Sequence, residues 1–237
     1  MGSTSSARVY GNISHVLFDF DGTLIDTLSC YHKSLNRVIA EFNKTVPQNM
    51  MPEILEKATV LEAVDLIIRK LHLPLTAENY AQSYEKDLKE TMKDVELMPG
   101  AFDIIKYFHE RRIPIGLCTQ VSSKFFEFES RKFKDLFEVG KHFELIVTAE
   151  NDPEIKRNKP HPDPYIVTIN RFKTRPKPEN VLVFEDSIQG VESAINAGAK
   201  CVMVQDKRIF NEASALATLV IQSFKEFNPD LFNWLPS

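Results

Sequence analysis

A chain of 237 residues, 43% hydrophobic and 26% charged with a net charge of -4, has the composition of an ordinary globular protein. Its basic residues are scattered, which argues against a nucleic-acid surface, and no apolar run reaches the ~20 residues needed to span a bilayer. Cys30, Cys118 and Cys201 lie far apart and are odd in number, which fits reduced thiols in the cytoplasm better than a disulfide framework.

The polar stretch 1-7 reads as a leader and lacks the apolar segment of a secretory signal. Val16-Leu17-Phe18 then has the length and residue types of a strand buried on both faces, and it ends abruptly in Asp19-Phe20-Asp21-Gly22-Thr23. Asp26 or Thr27 caps a helix over about 28-42, and the chain stays helical to about residue 95. Leu61, Val64, Leu66, Ile67 and Leu71 form an apolar stripe there, and Thr76 caps a further, polar helix. After Met98-Pro99-Gly100, strands and helices alternate. The strands are expected at 113-118, where Pro114 is confined to the start, and at 143-147, 180-184 and 200-204, with an edge strand at 218-221. Alternation of this kind implies an α/β, doubly wound parallel sheet of Rossmann-like type. The helical block interrupts it directly after the first strand, as an inserted α-helical cap domain: residues 28-95 form the cap, and residues 1-27 with 96-237 the core.

Ligands of such sheets sit beyond the carboxyl ends of the strands, and four unusual segments fall there. They are Asp19 with Asp21, Thr119-Gln120, the loop residue Lys159, and Glu185-Asp186-Ser187. Two carboxylates one residue apart share a face of an extended chain and repel, so the pair calls for a cation, a shared proton or catalysis. Gly22 leaves its backbone N-H open to a phosphate. A carboxylate can attack phosphorus and divide one hard displacement into two steps, while a second carboxylate protonates the leaving oxygen and then activates water. Mg2+ favours oxygen ligands, which Asp19, the Asp21 carbonyl, Asp186 and a substrate phosphate supply. Lys159 brings a positive charge to the phosphoryl oxygens, and Thr119 a hydroxyl, followed by backbone amides. Singly, Lys159 reads as a solvated loop lysine, Thr119 as a helix cap, and Glu185-Asp186-Ser187 as a helix start with acids suited to its dipole. Together, in order and at strand ends, they read as a site for phosphoryl transfer.

These four segments resemble the motifs of the haloacid dehalogenase-like hydrolase superfamily, over essentially the whole chain and with a cap inserted after the first motif. The resemblance implies that Asp19 is the nucleophile and Asp21 the general acid/base. It implies phosphate binding by Thr119, Gln120, Lys159 and Gly22, and a magnesium site of Asp19, Asp21 and Asp186 with Glu185 beside it. The second aspartate, Asp21, points to the phosphatase and phosphomutase branches rather than to dehalogenases or phosphonatases. Leu97-Met98-Pro99-Gly100-Ala101, Val181 to Asp186, and the tail from Ala217 to Phe232 are similar to the pseudouridine-5'-phosphatase (GS1-like) group. The cap departs from that likeness at Glu56-Lys57-Ala58-Thr59-Val60, where relatives tend to carry a glycine-lysine stretch. Lys57, Thr59 and Glu62 are the candidates for substrate contact.

The expected activity is a magnesium-dependent phosphoric monoester hydrolase working through an aspartyl-phosphate. Its substrate is a small phosphomonoester: a nucleotide such as pseudouridine 5'-phosphate, or a sugar or glycerol phosphate. The alternatives are a hexose phosphomutase using the same intermediate and a non-catalytic phosphate-sensing protein on the same scaffold. Neither a nucleic-acid polymer nor a membrane is expected as partner, and the chain is expected to be a monomer.

Overall fold

The computed structural model describes residues 9-57, 59-208 and 215-236; the polar stretch 1-7 lies outside them. In chain order the strands are β1 (Asn12–Ile13), β2 (His15–Phe18), β3 (Ile115–Thr119), β4 (Leu145–Thr148), β5 (Val181–Glu185), β6 (Lys200–Val204), β7 (Leu219–Ile221) and β8 (Asn233–Trp234). The helices are α1 (Thr27–Ile39), α2 (Met51–Leu55), α3 (Val60–Leu71), α4 (Ala77–Thr91), α5 (Ala101–Glu110), α6 (Ser123–Ser130), α7 (Asp163–Arg171) and α8 (Ile188–Asn196). The chain divides into two compact units, an α/β unit over residues 9-24, 97-205 and 215-236, and a helical unit over 25-57, 59-96 and 206-208.

Six strands of the α/β unit form one parallel sheet in the order β4-β3-β2-β5-β6-β7. The order reverses at β2, between β3 and β5, which is where open parallel sheets place their ligands. Pro114 sits just before β3, where its missing N-H costs nothing, and its carbonyl accepts from the Val16 amide (3.0 Å). Alternation along β2 and β5 sends side chains to two different layers. Leu17, Val181 and Val183 join Tyr165, Ile169 and Phe172 of the α7 region and Val191 and Ala194 of α8 in one apolar cluster. Phe18 and Phe184 point the other way, stacked at 5.0 Å, into an aromatic layer with Phe108, Phe143, Phe224 and Phe227. Full burial of each such ring is worth about 1.5–3 kcal/mol. β1 and β8 make a separate parallel pair, Asn12 opposite Asn233, and Trp234 packs against Phe108 at 5.2 Å.

The helical unit has its own core of Leu28, Leu35, Ile39, Met51, Ile54, Val64, Ile67, Tyr80 and Tyr84. Asp26 caps α1, and Thr59 and Thr76 cap α3 and α4, each side chain accepting from a backbone N-H three residues on. Val64, Leu66 and Ile67 of the α3 stripe are buried, whereas Leu61, in its first turn, stands exposed. No described helix is long and apolar enough to cross a membrane.

Candidate active site

Strand register assembles the site. Phe18 is paired with Phe184 and with Leu117, so the residues that follow, Asp19, Glu185 and Cys118, come level on the opposite face of the sheet. The Asp19 amide continues the ladder by donating to the Phe184 carbonyl (2.9 Å). Lys159 enters from the loop before α7 and is 6% exposed. Its Nζ donates to Asp19 Oδ1 (2.6 Å), to Glu185 Oε1 (2.6 Å) and to the Cys118 carbonyl (3.2 Å). One buried cation thus answers two buried carboxylates.

Asp186 completes an acidic group: one oxygen each from Asp19, Glu185 and Asp186 lies within 4.8 Å of the others. Thr23 Oγ1 donates to Asp186 Oδ1 (3.2 Å). Gly22 adopts φ +73°, and a Cβ placed there would meet Asp186 Oδ2 at 2.2 Å. Glycine is therefore required at this turn on two counts, backbone angle and room for a carboxylate. Thr119 ends β3 and is buried, its Oγ1 accepting from the Val121 amide (3.4 Å), and Gln120 beside it is half-buried.

The charges strain against their burial. Burial pushes the Asp19 carboxyl up to about 8, opposed by Lys159 and reinforced by Glu185 and Asp21. Asp186 is likewise held well above the usual carboxylate range by burial and by Glu185 and Asp19. For Lys159 burial works against the charged form, but Asp19 and Glu185 outweigh it and hold the amine above its ordinary value. Burial raises Cys118 to about 11, which disfavours the thiolate beside the site. Carboxylate oxygens crowded to this degree, with one lysine among them, are the hard donor set that a small divalent cation fits.

Two residues of this region escape sequence reasoning. Glu129, inside α6, is fully buried, and its carboxyl is pushed up to about 10 by burial and by the Asp21 carboxylate it faces. Apart from the Asp21 carboxyl, no N-H or O-H donor among the described residues reaches its oxygens. Phe126, one turn earlier on α6, packs on Phe20 at 4.7 Å, which explains the placement: residues three apart share a helix face, and Phe20 precedes Asp21. Tyr165 of α7 is the second, donating from its phenol to Glu185 Oε1 (2.7 Å).

Lys57, Thr59 and Glu62 belong to the helical unit. Lys57 and Thr59 line a cavity of about 240 Å³ with Tyr31, Ile54, Val64 and Tyr84. The Thr59 hydroxyl accepts from the Glu62 amide (3.2 Å) as the cap of α3, and Glu62 is exposed.

The family profile described as haloacid dehalogenase-like hydrolase matches residues 16-204. The chain belongs to this family. It is 32% identical over 225 residues to a probable pseudouridine-5'-phosphatase of Drosophila melanogaster, covering 95% of this chain and 96% of that one. It is 33% identical over 223 residues to (DL)-glycerol-3-phosphatase 2 of Arabidopsis thaliana, covering 93% and 91%. Among solved structures, a HAD family hydrolase of Deinococcus radiodurans with bound phosphate and sodium superposes with a TM-score of 0.74 at 21% identity, covering 90% of this chain and 93% of the other. The doubly wound α/β fold expected from the sequence is thus the fold observed, and the named relatives, aligned over nearly the whole chain, are phosphatases, as expected for a phosphoric monoester hydrolase.

Proposed function

We propose that the protein is a magnesium-dependent phosphatase of small phosphomonoesters that works through an aspartyl-phosphate on Asp19. The observation that carries this reading is the Asp19 carboxylate held at 2.6 Å by a buried lysine and crowded by Glu185 and Asp186 at the switch point of the sheet. Asp19, Asp186 and the Asp21 carbonyl, with Glu185 behind them, are the groups suited to hold magnesium. When bound, the ion offsets the charge that an anionic nucleophile and an anionic phosphate bring together.

An oxygen of Asp19 attacks phosphorus, the bond from phosphorus to the ester oxygen breaks, and Asp21 gives that oxygen its proton. Asp21 then takes a proton from water, whose oxygen attacks the same phosphorus, and phosphate leaves with Asp19 regenerated. Lys159 neutralises phosphoryl oxygens through both steps, and the Thr119 hydroxyl, Gln120 and the Gly22 amide orient them.

The relatives' names support a pyrimidine-type nucleotide such as pseudouridine 5'-phosphate, or a glycerol phosphate, as substrate. We read the helical unit as the family's cap, with Lys57 and Glu62 the stronger candidates for substrate contact, since the Thr59 hydroxyl is engaged in capping α3. The test is phosphate release, with and without magnesium, from pseudouridine 5'-phosphate, other nucleotides, glycerol phosphates and hexose phosphates. Turnover by wild type that vanishes in Asp19→Asn and in EDTA is expected; an Asp19→Asn protein that keeps its rate overturns the mechanism. Interconversion of hexose phosphates without phosphate release would instead favour the mutase.

A further inference from the structure

The Glu185 carboxylate is enclosed on every side. Its Oε1 accepts from Lys159 Nζ (2.6 Å) and from the Tyr165 phenol (2.7 Å). Its Oε2 accepts from the Asp186 amide (3.1 Å), the Ser187 amide (3.3 Å) and Ser187 Oγ (3.1 Å). A carboxylate offers about four lone-pair directions, so these donors leave none to spare. Gly190 of α8 closes the remaining side, where an added Cβ would lie 1.9 Å from the Glu185 carboxyl carbon.

Lys159 is in turn poised between Asp19 and Glu185, and its Nζ lies 4.8 Å from the centre of the Tyr165 ring. Tyr165 therefore touches both members of the Glu185–Lys159 pair, from a position that is itself fully buried. We propose that Tyr165 is a positioning residue of the phosphate site: its phenol fixes the Glu185 carboxylate, and through it holds the Lys159 ammonium in line with Asp19. This rests on the phosphatase reading for its consequence in turnover, and on the geometry alone for its consequence in anion binding.

The physical reason lies in competition for one oxygen. With the phenol gone, Lys159 is the sole donor left to Glu185 Oε1, and the ammonium is drawn from Asp19 toward Glu185. A cation displaced by a fraction of an ångström no longer meets the transferring phosphoryl group, and misplacements of about 1 Å cost on the order of 100-fold in rate. A merely structural tyrosine, which places its hydroxyl on Glu185 only to satisfy itself, has no such effect.

Tyr165→Phe removes the hydroxyl and keeps the ring over Lys159. The measurements are kcat and KM on whichever phosphomonoester the wild type turns over best, the dissociation constant of inorganic phosphate by calorimetry at saturating magnesium, and the melting temperature. We expect phosphate binding weakened by about tenfold and kcat lowered by about 10- to 100-fold, with melting shifted by only a few degrees. Gly190→Ala, which improves a helix position while pushing on Glu185, is expected to reproduce the loss in phosphate affinity. Phosphate affinity and kcat within about twofold of wild type in Tyr165→Phe would overturn the proposal, whatever happens to the melting temperature. A Gly190→Ala protein that folds and binds phosphate normally would do the same. Weakened phosphate binding in Tyr165→Phe, together with a wild type that hydrolyses nothing in the panel, would leave the positioning role standing and remove the phosphatase reading.

Discussion

Replacing Glu129 by glutamine tests the most unusual electrostatic feature of the α/β unit. The folded chain pushes this carboxyl up to about 10, and the unfolded chain returns it to about 4.3. An acid whose folded pKa is raised lends its full stability below the unfolded value and loses it as the pH climbs toward the folded value. Between about pH 5 and pH 9 the wild type is therefore expected to lose about 1.4 kcal/mol per pH unit relative to a side chain that does not titrate. At pH 7 that amounts to about 3 kcal/mol, a large fraction of the stability of most domains. Glutamine keeps the shape and can donate to Asp21 without taking up a proton. The Asp21 carboxyl that Glu129 faces adds to the effect of burial, and the slope of the difference, not its absolute size, is the diagnostic. Urea unfolding of both proteins at half-unit steps from pH 5 to pH 9, in EDTA, gives that slope directly. Glu129→Gln should gain steadily on the wild type with rising pH. Two stability curves that run parallel across this range would show that no proton is held at Glu129 and refute the reasoning.

Removing Lys159 leaves Asp19 and Glu185 buried without their cation, so Lys159→Ala should cost about 3–5 kcal/mol in thermal or chemical unfolding. Its turnover should be abolished even where the protein remains folded. Gly22→Ala sets a Cβ against Asp186 and strains a positive φ; magnesium affinity by calorimetry should fall, and an unchanged value would contradict the tight fit described at this turn. Magnesium at about 100 times its dissociation constant should add about 2.7 kcal/mol and raise melting by roughly 5–10 °C, as the ion relieves the crowded carboxylates. No shift at millimolar magnesium would count against an assembled metal site.

Asp19, Glu185 and Asp186 were legible because a parallel sheet carries its strand ends to one edge, and the loop residue Lys159 only in their company. The residue types at those ends are too polar and too acidic to be ordinary strand termini. Period two then settles which way Asp19 and Glu185 point, from the apolar residues two positions earlier. The same logic is silent about Glu129: an acid inside Lys124-Phe125-Phe126-Glu127-Phe128-Glu129 reads as part of a solvated helix face, and only the packing of Phe126 on Phe20 turns it inward. Tyr165 is hidden in another way, since a buried tyrosine on an amphipathic helix is an ordinary core residue until its hydroxyl is seen to meet Glu185. The pairing of β1 with β8 joins two-residue segments from distant parts of the sequence, too short for any periodicity to register. Thr59 shows the reverse case, where a threonine chosen for its chemistry spends its hydroxyl on the start of a helix.

Trp234, set against Phe108 in β8, is the only tryptophan in the sequence. Its indole N-H donates to the Pro229 carbonyl (3.0 Å), and its ring neighbours Phe108 and Phe232 belong, like it, to the α/β unit. The helical unit carries no such fluorophore. Light absorbed by tryptophan alone therefore reads out one unit and is blind to the other, whereas far-ultraviolet dichroism weighs both. Followed together through denaturation, the two signals tell whether the inserted helices and the sheet that receives them come apart as one cooperative body or as two.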